Sequence, residues 1–241
     1  MVKPLYKKVL LKLSGEVLMG DKSFGIDFDI LTSISNEIKT AYNNNIKLSI
    51  VIGGGNIFRG VNNKSFSMER TDADYVGMIS TIINGITLKN SLKNLDLPVV
   101  LYSALKIENV SNSYNIEEAK KLFEKNNILI FVAGTGNPFF TTDTAAVLRA
   151  SEVGAEIVIK ATKTDGVYDK DPKLHSDAVR YEVLNYDEVL KKQLKVMDST
   201  AIAFCRDNQL PILVLDYHEP DAILKAVCGE TVGTLIKQRD S

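Results

Sequence analysis

Apolar runs of strand length alternate with segments of helical period along the whole of this 241-residue chain, and several of the strands end on glycine. Val9–Leu13 stops at Ser14-Gly15, Ile46–Ile52 at Gly53-Gly54-Gly55, and Ile128–Ala133 at Gly134-Thr135-Gly136. Asp27–Tyr42 sets Ile30, Ile34 and Ile38 at the four-residue step of one helix face. Asp72–Leu92 does the same with Val76, Ile79, Ile83 and Ile86. Asn115 and Glu118 form a capping pair that opens a helix to Lys125. Further strands are expected at Pro98–Leu101, Glu156–Ala161, Pro211–Leu215 and Gly233–Ile236. Further helices are expected at Thr144–Ser151, Tyr186–Leu194, Asp198–Asn208 and Pro220–Val227. Such alternation predicts a mostly parallel sheet with helices on both faces. Ligands of such sheets bind beyond the carboxyl ends of the strands, so the three glycine turns predict one phosphate-lined crevice. With no linker, low-complexity tract or repeat, residues 1–241 read as one domain.

Any anion must be held locally, because 29 basic residues face 30 acidic ones and the net charge is −1. Neither a nucleic acid nor an anionic membrane is an expected partner. Cys205 and Cys228 sit in apolar surroundings and read as reduced core thiols. His175 and His218 lie in polar stretches and read as surface residues, and no Cys/His spacing suits zinc. Lys3, Lys7, Lys8 and Lys12 break up the only apolar run near the start, and no run reaches the ~18 residues of a membrane span. A cytoplasmic protein is expected.

Lys12, two residues before the first turn, can reach a transferred phosphate as a point charge. Gly53-Gly54-Gly55-Asn56-Ile57-Phe58-Arg59-Gly60 offers closely approaching N–H donors and a fork-shaped cation. Neither loop is a Walker A, and no Gly-x-Gly-x-x-Gly occurs, which argues against a dinucleotide-dependent oxidoreductase. Lys160-Ala161-Thr162-Lys163-Thr164-Asp165-Gly166-Val167-Tyr168 suggests a nucleoside pocket, with Tyr168 near a base and Lys160 or Lys163 near phosphates. Gly134-Thr135-Gly136-Asn137-Pro138-Phe139-Phe140-Thr141-Thr142-Asp143 is the richest string. Its glycines suit a phosphate, its aromatics a flat base, and its hydroxyls, amide and carboxylate can read a nucleotide.

Those stretches, with Leu194-Lys195-Val196-Met197-Asp198, resemble the bacterial uridylate kinases (UMP kinases) of the amino acid kinase superfamily, from about Val9 to Ile236. The resemblance implies a three-layer α/β/α sandwich of the carbamate kinase-like fold. It implies an N-terminal lobe of about 1–155 binding UMP and a C-terminal lobe of about 156–241 binding ATP. The implied reaction passes the ATP γ-phosphoryl group to UMP, giving UDP and ADP, with Mg2+, in pyrimidine nucleotide (CTP/UTP) biosynthesis. Lys12, Lys160, Asp143 and Arg59 would be catalytic. ATP would meet Lys12, Leu13, Ser14, Gly15, Gly55, Arg59, Thr162, Tyr168 and Asp171. UMP would meet Gly54, Asp74, Thr135, Gly136, Asn137, Pro138, Phe139, Phe140, Thr141 and Thr142. No protein metal ligand is assigned. The family implies a homohexamer, with GTP as activator and UTP as inhibitor, and Gly20-Asp21-Lys22-Ser23-Phe24-Gly25 matches its GTP segment. The stripe on Asp72–Leu92 leaves open a subunit contact or packing on the chain's own sheet. A carbamate or carboxylate kinase would need a different acceptor loop, and a nucleotide sensor would not need the lysines.

Overall fold

A computed structural model describes residues 4–59 and 68–238. Gly60, the last residue of the triple-glycine motif, lies outside them. Along the chain run β1 (Lys8–Leu13), α1 (Gly15–Met19), α2 (Phe28–Asn43), β2 (Lys47–Ile52) and α3 (Arg70–Lys93). Then come β3 (Val99–Ser103), β4 (Asn112–Ser113), α4 (Ile116–Glu124), β5 (Ile128–Val132) and α5 (Thr142–Val153). The remainder is β6 (Ile157–Thr162), β7 (Val167–Tyr168), β8 (Arg180–Tyr181), β9 (Val183–Leu184), α6 (Tyr186–Lys191), α7 (Ser199–Asp207), β10 (Ile212–Asp216), α8 (Ala222–Val227) and β11 (Gly233–Ile236).

Nine strands form one sheet in the order β4-β3-β5-β2-β1-β6-β10-β11-β9, and β7 and β8 form a separate hairpin-like pair. Among the described residues the large sheet pairs in parallel except between β10 and β11, so β11 and β9 run against the rest. The chain moves one way from β1 to β2 and returns to β1's other side with β6, so β1 is a switch point where a crevice opens. Strand parity sorts the core into two layers. Val9, Leu11 and Leu13 face α2, α3 and α8, whereas Leu10 and Val158 face α4, α5, α6 and α7. The architecture is thus the expected three-layer α/β/α sandwich.

Several helices begin on side-chain caps, the expected Asn115 among them. Asp27 accepts from Asp29 N–H and Ile30 N–H, Asn115 from Glu118 N–H, and Asn185 and Glu188 complete a capping box. Some boundaries move. The helix expected from Thr144 starts at Thr142, so Thr142 and Asp143 belong to its first turn rather than to the loop. The final helix opens at Ala222 instead of Pro220, and α6 stops at Lys191. The stripe on α3, left open between a subunit contact and the chain's own sheet, points partly outward: Ile79 and Ile83 are 49% and 45% exposed, with Tyr75 beside them at 41%. The buried side of the helix mixes Met78, Ile82, Leu88 and Leu92 with Ser80, Thr81, Asn84 and Gly85. At Gly85 the helix lies close to the sheet: a Cβ there would stand 2.3 Å from Val132 Cγ1.

Candidate active site

Lys12 and Lys160 are register partners on the adjacent parallel strands β1 and β6, so their side chains leave the same face side by side. It is the face of Leu10 and Val158, covered by α5. Asp143, in the first turn of α5, drops its carboxylate between them. Its Oδ1 lies 2.8 Å from Lys12 Nζ and its Oδ2 3.0 Å from Lys160 Nζ. Both contacts are charge-assisted, and each carboxylate oxygen is held by one ammonium. Lys160 also donates to the Val196 carbonyl. The three side chains are only 9%, 15% and 14% exposed, and together they carry one net positive charge. A phosphate oxygen arriving from solvent would meet that charge already in place.

Burial raises the Asp143 pKa, but the two ammoniums outweigh it and hold the carboxyl below its ordinary value. For Lys160, burial first and the Lys12 charge second push the pKa below 10.5, against the pull of Asp143. Its charged form is therefore present below this lowered pKa and is lost as pH rises through it. If the ammonium is the working form, kcat/KM falls on the alkaline side earlier than an ordinary lysine would allow. Lys160→Arg, which stays charged, should move that limb to higher pH. An unchanged limb in a pH–rate profile would contradict the assignment.

Thr141 caps α5: its hydroxyl accepts from Asp143 N–H at 3.0 Å and Thr144 N–H at 3.3 Å, and itself donates to Asp198 Oδ2. Asp198 Oδ2 also accepts from the Thr144 hydroxyl at 2.9 Å, while its Oδ1 caps α7 at Ala201 N–H. Asp198 thereby locks the turn bearing Asp143 onto α7. It stood at the end of a matching stretch but among none of the expected site residues. The Asp-Ser-Thr-Ala opening of a helix marks it only as an N-cap.

The loop before α5 is tightly wound. Ala133, Gly134, Gly136 and Phe139 all have φ between 58° and 80°. For Phe139 that conformation costs about 1 kcal/mol or more and needs outside support. Its N–H donates to Asp74 Oδ2 at 2.8 Å, and Arg70 Nε grips both Asp74 oxygens at 3.1 Å. Beside it opens a cleft of about 260 Å3 whose lining includes Gly54, Asp74, Thr135, Phe140, Thr141 and Thr142. Gly136, Asn137, Pro138 and Phe139 fall outside that lining; Asn137 folds back on Thr135 through its N–H and its side chain. Gly54 has to lack a side chain, since a Cβ would stand 2.8 Å from Gly77 O and from Ser80 Cβ on α3.

Leu13 is buried in the core, and Ser14 and Gly15 follow it at the end of β1. Arg59 bonds the Gly55 carbonyl at 2.9 Å and pairs with Glu16 at 2.9 Å, half exposed. Thr162 donates to the Thr164 carbonyl, and Tyr168 to Asp165 at 2.7 Å. A polar hollow of about 410 Å3 lies against Asp165, Arg180, Asp216 and His218. Asp171 is exposed and caps its own turn at Lys173 N–H, apart from those bonds. Gly20 accepts from Lys163, Lys22 pairs with Asp27 at 3.3 Å, and Gly25 bonds Asn56; Asp21, Lys22, Ser23 and Phe24 are exposed. His175 and His218 are at the surface and Cys205 is buried, as expected, while Cys228 is partly exposed.

Among the described residues, no three His, Cys, Asp or Glu side chains gather as a metal cluster. Both oxygens of Asp143 are paired with the lysines, so the donor set suits a metal shared with phosphates and water rather than one ligated by the protein.

A parallel sheet with a two-lysine, phosphate-ready crevice at its switch point is the machinery of a phosphotransferase. Residues 7–216 match the amino acid kinase family, and the chain belongs to that family. Its structure is similar to the UMP kinase of Bacillus anthracis, at 36% identity with a TM-score of 0.95 and 99% and 98% of the two chains covered. The UMP kinase of Ureaplasma parvum matches at 37% identity, TM-score 0.91, covering 97% and 99%. The uridylate kinase of Archaeoglobus fulgidus matches at 27%, TM-score 0.73, covering 95% and 99%.

Proposed function

We propose that this protein transfers the γ-phosphoryl group of ATP to UMP, giving UDP and ADP. The observation that carries the reading is Asp143 clamped between Lys12 and Lys160, directly after the cleft-lining Thr141 and Thr142 in the chain. In the reaction a UMP phosphate oxygen bonds to the γ-phosphorus, and the bond to the β–γ bridging oxygen breaks towards ADP. The acceptor phosphate has a second pKa of about 6, so it arrives ionised and needs no general base. Positioning and charge remain for the protein to supply.

In this reading UMP occupies the cleft of the 1–155 part. Asp74 takes the ribose, Gly54 and Thr142 the phosphate side, and Thr135 and Asn137 the base; Gly136 and Pro138 shape the loop, and Phe139, Phe140 and Thr141 enclose the ligand. ATP lies along Lys12, the backbone of Leu13, Ser14, Gly15, Gly55 and Arg59. Its nucleoside reaches Thr162, Tyr168 and Asp171 in the 156–241 part. Mg2+ would travel with ATP, held by phosphate oxygens and water, and would offset the charge gathered on the γ-phosphate. The place of the reaction is cytoplasmic pyrimidine nucleotide synthesis towards UTP and CTP. GTP would activate through Gly20–Gly25 and UTP would inhibit.

A coupled assay of ADP release with UMP, CMP, carbamate and acetylglutamate as acceptors tests the reading. Turnover with UMP alone is expected; a preference for carbamate or acetylglutamate, or no turnover at all, would refute it. Titrating GTP and UTP into the same assay reads effector control.

The exposed Tyr75–Ile79–Ile83 strip is the natural covering site for a second copy in a homohexamer. Ile79→Glu with Ile83→Glu should lower the light-scattering mass from the native oligomer towards a smaller species. A native mass equal to one chain, or an unchanged oligomer in the variant, would exclude that surface.

A further inference from the structure

Asn56 and Asn84 face each other as a closed amide pair in the interior, 2% and 0% exposed. Asn56 Nδ2 donates to Asn84 Oδ1 at 3.0 Å, and Asn84 Nδ2 donates back to Asn56 Oδ1 at 2.7 Å. Each amide has one N–H left, and each gives it to backbone. Asn84 holds the Gly53 carbonyl at 2.7 Å, and Asn56 holds the Gly25 carbonyl at 2.9 Å. The Gly25 N–H returns to the Asn56 carbonyl at 2.9 Å, closing a second ring. The turn after β1 rests on the same group: a Cβ on Gly15 would stand 2.5 Å from Asn56 Oδ1 and 2.6 Å from Gly55 N. Two buried carboxamides are costly unless fully bonded, and here all four N–H donors are used. Four pieces of backbone thus meet at one pair: the triple-glycine loop, the turn at Gly15, the Gly20–Gly25 segment and α3, which carries Asp74.

We infer that the Asn56–Asn84 pair is a positioning device for phosphoryl transfer. It sets the N–H groups of Gly54 and Gly55 and the turn at Gly15 against Lys12 on one side and the helix of Asp74 on the other. Its own polar atoms are spent on the pair and the backbone, so it acts through the loops and not by touching a nucleotide. Donors misplaced by a fraction of an ångström weaken the charge-stabilising contacts of the transition state more than ground-state binding, so the loss falls on kcat.

The inference rests on the UMP kinase reading, and wild-type turnover separates the two: no turnover of UMP by the wild type sinks that reading and not the pair. Asn56→Ala, Asn84→Ala and the double variant would be assayed with ATP and UMP well below their melting temperatures, with folding checked by circular dichroism. Each single variant is expected to lose about ten-fold or more in kcat with KM for UMP within about three-fold, and the double to lose no more than the worse single. A single variant within about two-fold of wild-type kcat, or a double whose loss is the product of the singles, overturns the proposal. Should the alanine variants fail to fold, Asn84→Asp keeps the shape. Its neutral acid can donate to Gly53 and its carboxylate cannot, so its kcat relative to wild type should rise towards acid pH. A flat ratio overturns the proposal equally.

Discussion

Lys12→Ala should fold normally and lose about 10²–10³ in kcat at saturating ATP and UMP. The ammonium is fixed before substrate arrives: β1 pins its Cα beside that of Lys160, and Asp143 holds its Nζ at 2.8 Å. A cation placed in advance on the path of the transferring group costs no reorganisation during the reaction, which is why its removal falls on turnover. The fold should tolerate the change because Val9, Leu10, Leu11 and Leu13 supply the core of the strand and Asp143 keeps Lys160 as its partner. Steady-state kinetics with both substrates saturating gives the answer. Near-normal kcat would remove Lys12 from the mechanism.

Asp143→Asn should be worse for stability than for the local shape. Two largely buried ammoniums would face each other without their anion, and breaking a buried pair in this way typically costs about 3–5 kcal/mol. Desolvation and mutual repulsion already depress the pKa of Lys160 with Asp143 present, so the variant would push a proton off one lysine or open the site. Turnover should fall by a factor of about a hundred or more, because the lysines lose their common anchor as well as their charge. ATP brings anions to the same place. The melting temperature of the variant should therefore rise more on adding ATP than that of the wild type. Equal shifts in the two proteins, read by thermal denaturation, would mean that the phosphates do not meet this cluster.

Much of the site could be read along the chain because its parts are strand ends. Lys12, the triple glycine, the Gly134–Asp143 string and Lys160 each sit where an apolar run stops, and a parallel sheet brings its carboxyl ends to one edge. Even the pairing of Lys12 with Lys160 follows from a two-residue period once the strands are adjacent. Other features depend on tertiary partners that spacing does not reveal. The Asn56–Asn84 pair joins residues 28 apart, and Asp198 reaches Thr141 across 57. The two-residue strands β4, β7, β8 and β9 are too short to show a period. On α3 the apolar stripe was legible and its direction was not. Helical period tells which residues share a face, while the close approach at Gly85 shows which part of the helix can lie against the sheet.

The central claim is direct transfer between two nucleotides held on either side of Asp143. A single-turnover reaction of ATP labelled in the γ-phosphate with UMP tests it most directly. The account predicts label in the β-phosphate of UDP alone, at the rate ADP forms, with none on the protein. Label released as inorganic phosphate, or trapped on a side chain before UDP forms, would contradict it.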